Sequence, residues 1–224
     1  KSIKIRKQAF TMEDFEKGLV MAGYVTPSTI GELHEREVLD EYEKSLKGGK
    51  PVKDNIFFKR VTLAAEIAAQ LHGEPTFGRV KFQKLVYLCE NVALMDLNER
   101  YSKQAAGPFD NKFMHSIEKQ FKRNNWFEVE KKSDGNFQRS VYIPLEKWEN
   151  YKKYYASYFT FHNEKIQYII DLFRKEKTDK TEISATLYAC LIELYNEKII
   201  ISENALLNKF YYWSIQKARY DKNT

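Results

Sequence analysis

Between Ile56 and Met95 apolar side chains recur every three or four residues, whereas between Trp126 and Ile143 they alternate every second residue. The first spacing is that of an amphipathic helix and the second that of a half-buried strand. Over 56–72, Phe57, Val61, Ala64, Ala65, Ala68 and Leu71 form one stripe, closed by Gly73. Over 79–95, Val80, Leu85, Leu88 and Val92 repeat the pattern with Cys89 among them. The stretch 97–106 reads as extended and Gly107-Pro108 as a turn. Asp110 is placed to cap a helix running to about Arg123, because its carboxylate can accept an otherwise unpaired first-turn N–H. The alternating runs 126–132 and 137–143 flank Ser133-Asp134-Gly135-Asn136, a hairpin turn signal. After Pro144 the spacing predicts helices over 145–157, 163–175, 181–197 and 202–219, with Thr181 and Ser202 as N-caps. The expected fold class is mainly α (α+β): a helical domain with a winged-helix-like core carrying one β-hairpin.

Ahead of this core, 1–7 reads as a short strand or basic arm. Helices are predicted over 12–22 and from Ser28 or Thr29 to Gly48-Gly49, followed by a linker over 48–55. The expected division is an N-terminal arm with two helices (1–54), a core (55–143) and a helical part packed on it (144–224). A chain that is 43% hydrophobic is not disordered in composition. Its 2 Cys cannot make a disulfide framework. No apolar run is long enough to span a bilayer and no signal peptide opens the sequence. These features predict a cytoplasmic protein with no membrane partner.

Catalytic signatures are sparse. His34, His72, His115 and His162 fall in separate segments, none spaced with another metal ligand. His34-Glu35 starts a zincin-like pair, but Val38 stands where the second histidine is needed. There is no glycine-rich phosphate loop, and neither Cys89 nor Cys190 has a nucleophile signature. Asp110 followed by Glu130-Lys131-Lys132 faintly matches a Mg-dependent nuclease spacing, yet a chain that is 30% charged produces Glu-x-Lys by chance. The expectation is no enzyme, no cofactor and no metal, with the nuclease as a remote alternative.

Charge is more informative. Residues 112–139 hold seven basic side chains, Lys112, Lys119, Lys122, Arg123, Lys131, Lys132 and Arg139, against four acidic ones. On a helix end and the hairpin after it, they are candidates for phosphate contact. Packing of Phe113, Ile117 and Phe121 would turn Lys112, His115, Lys119 and Lys122 outward. Gln120, Asn124 and Asn125 could meet base edges, and Arg123 could read guanine. Arg79, Lys81 and Lys84 suggest a second basic edge. The aromatic run Trp148, Tyr151, Tyr154, Tyr155, Tyr158, Phe159 and Phe161 has helical spacing and reads as core or interface rather than a base-stacking platform. Phe210, Tyr211 and Trp213 are expected to dock on the body.

Several of these strings also resemble a known family. They are Phe57-Phe58-Lys59-Arg60 with Leu63–Ile67, Gly78–Glu90, Ala105–Asp110, Trp126-Phe127, Ile166–Ile170, Ala185–Cys190 and Phe210–Ser214. Together they resemble the C-terminal extension of bacterial proteins described as type I restriction-modification specificity subunits, across roughly 56–219. The shorter core around Lys81–Tyr87 and Gly107-Pro108 is similar to the Panacea (SocA-like) antitoxin domain. The resemblance implies a non-catalytic module of a bacterial defence system that binds a protein partner, a toxin or restriction-modification subunits. It places Arg79, Lys81, Lys84, Gly107, Pro108 and Phe109 at the partner surface. The residues before Ile56 are too few for a target-recognition domain, so reading of a methylation site does not carry over. The alternative is a sequence-specific DNA-binding regulator using the basic helix 111–125 and the hairpin 126–143.

Overall fold

The computed structural model describes residues 2–5, 8–11, 55–95, 97, 100–134 and 137–220. The helices expected over 12–22 and 28–47, and the linker over 48–54, lie outside the described residues. Strands β1 (Ser2–Ile5) and β2 (Gln8–Thr11) pair antiparallel with Ser2 opposite Thr11, so the predicted strand is half of a hairpin.

The body begins with α1 (Asn55–Leu71) and α2 (Arg79–Val92). Gly78 is the N-cap of α2 in extended conformation, and the rings of Phe77 and Phe82 on either side of it lie 5.8 Å apart, edge to face. This is a hydrophobic staple, which fixes how the chain enters a helix. Every residue from Lys81 to Glu90 is buried, because α1, α5 (Asn163–Phe173) and α6 (Thr178–Asn196) all pack on α2. The sequence pattern assigned one buried face; the packing makes α2 the central helix. Conversely Val80, expected in the core, is 38% exposed on the first turn.

The stretch read as extended and ending in a turn at Gly107-Pro108 is instead a second hairpin. β3 (Ser102–Gln104) and β4 (Gly107–Phe109) pair with Gln104 opposite Gly107, which puts the turn at Ala105-Ala106. Gly107 has φ +95, and a Cβ there would lie 2.5 Å from Thr186 Oγ1 of α6. Glycine is therefore demanded twice, by conformation and by close approach.

Asp110 caps α3 (Asn111–Arg123) as expected, its Oδ1 accepting the Phe113 N–H at 2.9 Å. Asn125, with φ 59, turns the chain into β5 (Phe127–Asp134), which pairs with β6 (Phe137–Pro144). A 3₁₀ turn (Trp148–Tyr151) leads into α4 (Lys152–Phe159), and a second (Thr160–His162) into α5. α6 starts at Thr178, ahead of the predicted cap. Thr181 is thus inside the helix with its hydroxyl on the Lys177 carbonyl. Ser202 does cap α7 (Glu203–Tyr211), accepting from Ala205 N, but α7 stops well before Arg219 and a 3₁₀ segment, Ile215–Arg219, follows.

The fold is mainly helical with small antiparallel hairpins. One apolar core runs from Val61 through Phe82, Phe121, Tyr151, Ile170 and Leu187 to Tyr220. α4 to α7 share this core rather than covering a finished one. Cys89 and Cys190 are unbonded and buried within it, which pushes both thiols up, Cys190 to about 12.

Candidate nucleic-acid interface

Helix α3 is sharply two-sided. Phe113, Met114, Ile117 and Phe121 are buried, while Lys112, His115, Lys119, Lys122 and Arg123 are exposed. At 100° per residue those five positions fall within an arc of about 100°. Glu118 is the helix's single acidic residue and turns aside, 3.1 Å from Arg79 of α2. Lys122 is held at 2.6 Å by Glu128 of β5, whose hydrogen bond and charge raise its pKa. Lys112, Lys119 and Arg123 have no ion-pair partner among the described residues. Gln120 is half-buried and donates to Asn124 at 3.2 Å, so its amide is committed along the helix rather than presented from it.

The hairpin contributes less uniformly than the sequence suggests. Lys131 and Lys132 are both exposed, but neighbours on a strand face opposite ways. Lys131 shares the face of Phe127, whose ring meets Phe121 of α3 at 5.3 Å; Lys132 shares that of Glu128 and Glu130. Arg139, opposite Lys132, donates to the Pro75 carbonyl at 2.5 Å and is half-buried. Seven basic residues therefore do not form one surface; the exposed α3 face is its coherent part.

The second set, assigned to a protein partner, is largely interior. Lys81 and Lys84 are 0% and 1% exposed, and Gly107 and Pro108 are buried. Lys81 Nζ donates to Thr76 Oγ1 at 2.8 Å and to the Arg174 and Glu176 carbonyls at 2.9 and 2.7 Å, closing the C-terminus of α5. Lys84 Nζ reaches the Pro108 carbonyl at 2.6 Å, beside the Gln83 amide on the same oxygen at 3.0 Å. Burial lowers Lys81 to about 8 and Lys84 to about 7. The expected second basic edge is thus an internal set of hydrogen bonds, leaving Arg79 and Phe109 half-buried at its rim.

A buried network behind α3 went unread in the sequence. The Arg60 guanidinium donates to both Glu90 oxygens at 2.5 and 3.2 Å and to Asp110 Oδ2 at 3.0 Å, and lies 3.3 Å from the Phe113 ring centre. Tyr101 donates to Glu90. Desolvation opposes the Arg60 charge, but the adjacent Glu90 carboxylate more than restores it. The network joins α1, α2 and the α3 cap, fixing where the basic helix starts. The sequence signal for it was Arg60, a charged residue at the edge of the apolar stripe over 56–72; Glu90 lies opposite the stripe read over 79–95 and gave none.

Asp110, the first carboxylate of the nuclease-like pattern, has one oxygen on Phe113 N and the other on Arg60. Among the described residues no group of three His, Cys, Asp or Glu side chains could hold a metal ion. No described helix is long and apolar enough to cross a membrane. In the aromatic run, Tyr151, Tyr155 and Phe159 are buried and the Tyr151 hydroxyl donates to Glu66 at 2.7 Å; only Phe161, at 77% exposure, stands clear. No protein-family model matches the chain, and no curated protein or solved structure matches it either.

Proposed function

We propose that this chain is a non-catalytic binding module that lays helix α3 against the phosphates of duplex DNA. One observation carries the reading: Lys112, His115, Lys119, Lys122 and Arg123 share one exposed face whose sole acidic neighbour on the helix is drawn off by Arg79. Thirteen residues at 1.5 Å rise make α3 about 20 Å long, comfortable in a major groove about 12 Å wide. The order of helices, then α3, then a hairpin supports a winged-helix mode, with the exposed Lys131 and Lys132 on the wing. The sequence resemblance supplies the setting: a cytoplasmic bacterial defence system, restriction-modification-associated or antitoxin-like, working without a cofactor.

Fluorescence anisotropy on a labelled duplex at several salt concentrations tests this. The expected slope corresponds to roughly four or more phosphate contacts, falling by about one for each of Lys112→Ala, Lys119→Ala and Arg123→Ala. Lys122→Ala should weaken binding less, because Glu128 already neutralises it, and Glu128→Gln should tighten binding. Undetectable binding, or binding indifferent to the α3 changes, rejects the reading.

A protein partner is the second reading, and the exposed Ile200, Tyr212 and Ile215, at 87, 90 and 91%, favour it. Such a partner, a toxin or restriction-modification subunits, would use this end of the molecule rather than Lys81 and Lys84. Saturable binding to a purified partner, lost on Ile200→Asp or Tyr212→Asp, is the outcome that would separate it from DNA contact.

A further inference from the structure

Four hydrogen bonds to one carboxylate, from three side chains, converge near the end of the described chain. Glu182 of α6, with a side chain 6% exposed, receives Lys217 Nζ at 2.8 Å, Arg219 Nη2 on both oxygens at 3.0 Å, and the Tyr220 hydroxyl at 3.2 Å. All three donor residues come from a single stretch of four, Lys217-Ala218-Arg219-Tyr220. The body completes a receptor around them. Thr186 Oγ1 accepts from Lys217 at 3.0 Å, and the Phe210 ring lies 5.4 Å from the Lys217 ammonium and 6.1 Å from the Tyr220 ring. Upstream, Trp213 and Ser214 donate to the carbonyls of Gln104 and Ala105 in the β3–β4 turn.

The way this segment is held sets it apart from α1 to α7. Of Ile215 to Tyr220 only Lys217 and Tyr220 are buried; Ile215 is 91% exposed and Gln216 and Ala218 face solvent. Beyond the bonds internal to its single 3₁₀ turn, its backbone adds Lys217 N to Ser214 O and Tyr220 N to Lys217 O. Attachment therefore rests on one buried ring, Tyr220, and on the pairing of Glu182 with Lys217 and Arg219, and desolvation cancels most of what the wholly buried lysine contributes. Segments with little apolar burial belong to the low-stability end of a native structure.

We propose that the groove between α6, α7 and the β3–β4 hairpin is a receptor for a Lys-x-Arg-Tyr segment, filled in this chain by its own Lys217–Tyr220 as a removable tenant. The recognition chemistry is specific. A lysine inserts fully beside a threonine hydroxyl and an aromatic face, an arginine spans both carboxylate oxygens, and a tyrosine lies tilted on Phe210. The inference does not rest on the DNA reading and survives its failure.

The test uses the full chain carrying Lys217→Glu and Arg219→Glu, which removes the tenant's charges, and a fluorescent peptide spanning 213–220. The peptide should bind this variant and should bind wild type far more weakly, because there the groove is filled. Adding Glu182→Gln should weaken binding roughly tenfold or more. A folded double variant that ignores the peptide up to about 1 mM, or binding indifferent to Glu182→Gln, overturns the proposal. Should the double variant not fold, native-state hydrogen exchange on wild type decides. The Lys217 and Tyr220 amides are expected to exchange through an opening shallower than global unfolding. Exchange only through global unfolding would make the segment an integral part of the core and end the idea.

Discussion

Lys84 carries an ammonium into the interior with a carbonyl as its acceptor, and Lys81 does the same at the end of α5. In the folded chain their pKa values fall to about 7 and about 8, while an unfolded lysine stays near 10.4. Between about pH 7 and 10.4 the unfolded chain therefore binds more protons than the folded one, and stability rises with pH. Below that window the full penalty stands. Lys84→Met is expected to raise the denaturant midpoint at pH 7, by about 1 kcal/mol or more in stability, and to flatten its climb toward pH 10. Midpoints measured at four or five pH values check this; a slope equal to that of wild type would mean the amine is not desolvated. Sequence reading placed these lysines at a surface because basic residues near the start of a helix ordinarily point outward. Nothing local records that a third helix closes over it.

Elements α6 and β4 meet at Gly107, where no side chain fits between the strand and Thr186. Gly107→Ala combines a φ of +95 with a 2.5 Å overlap onto Thr186 Oγ1, and should destabilise by about 2 kcal/mol or more. Thermal unfolding followed by circular dichroism reads it directly, with Gly73→Ala, where nothing lies within 4 Å, as the matched control. At α3 the boundaries were legible: an Asp cap, a basic last turn and an apolar stripe are all local signals. The β3–β4 hairpin was not legible. Three-residue strands offer too short an alternation, and Gly107-Pro108 resembles a turn more than a strand start. Helix ends stopped by the non-glycine left-handed residues Asn125 and Lys198 likewise lack the usual glycine mark.

At the scale of the molecule, α1 packs on α4, and α2 packs on α5 and α6, so the core of 55–143 is walled by residues after Pro144. A fragment ending at Pro144 would expose much of α2 and leave Lys81 without the Arg174 and Glu176 carbonyls. It is expected to show no cooperative thermal transition, whereas 55–220 should melt as one unit. A sharp transition in the fragment would restore the division at Pro144 that the change of hydrophobic period suggested. The same shared core makes α3 rigid behind its basic face, since Arg60 and Glu90 tie its cap to two other helices.

Sequence alone determined what depends on neighbours a few residues apart: the helical class, the hairpin after α3, the Asp110 and Ser202 caps, and which face of α3 is basic. Tertiary structure decided what depends on partners far along the chain. It sent Lys81 and Lys84 inside, joined Arg60 to Glu90 and Asp110, and gathered Lys217, Arg219 and Tyr220 on Glu182. The physical reason is the same each time. Periodicity reports how a segment divides its surface, but whether a charge is solvated or buried is set by whatever packs against it, and that lies elsewhere in the sequence.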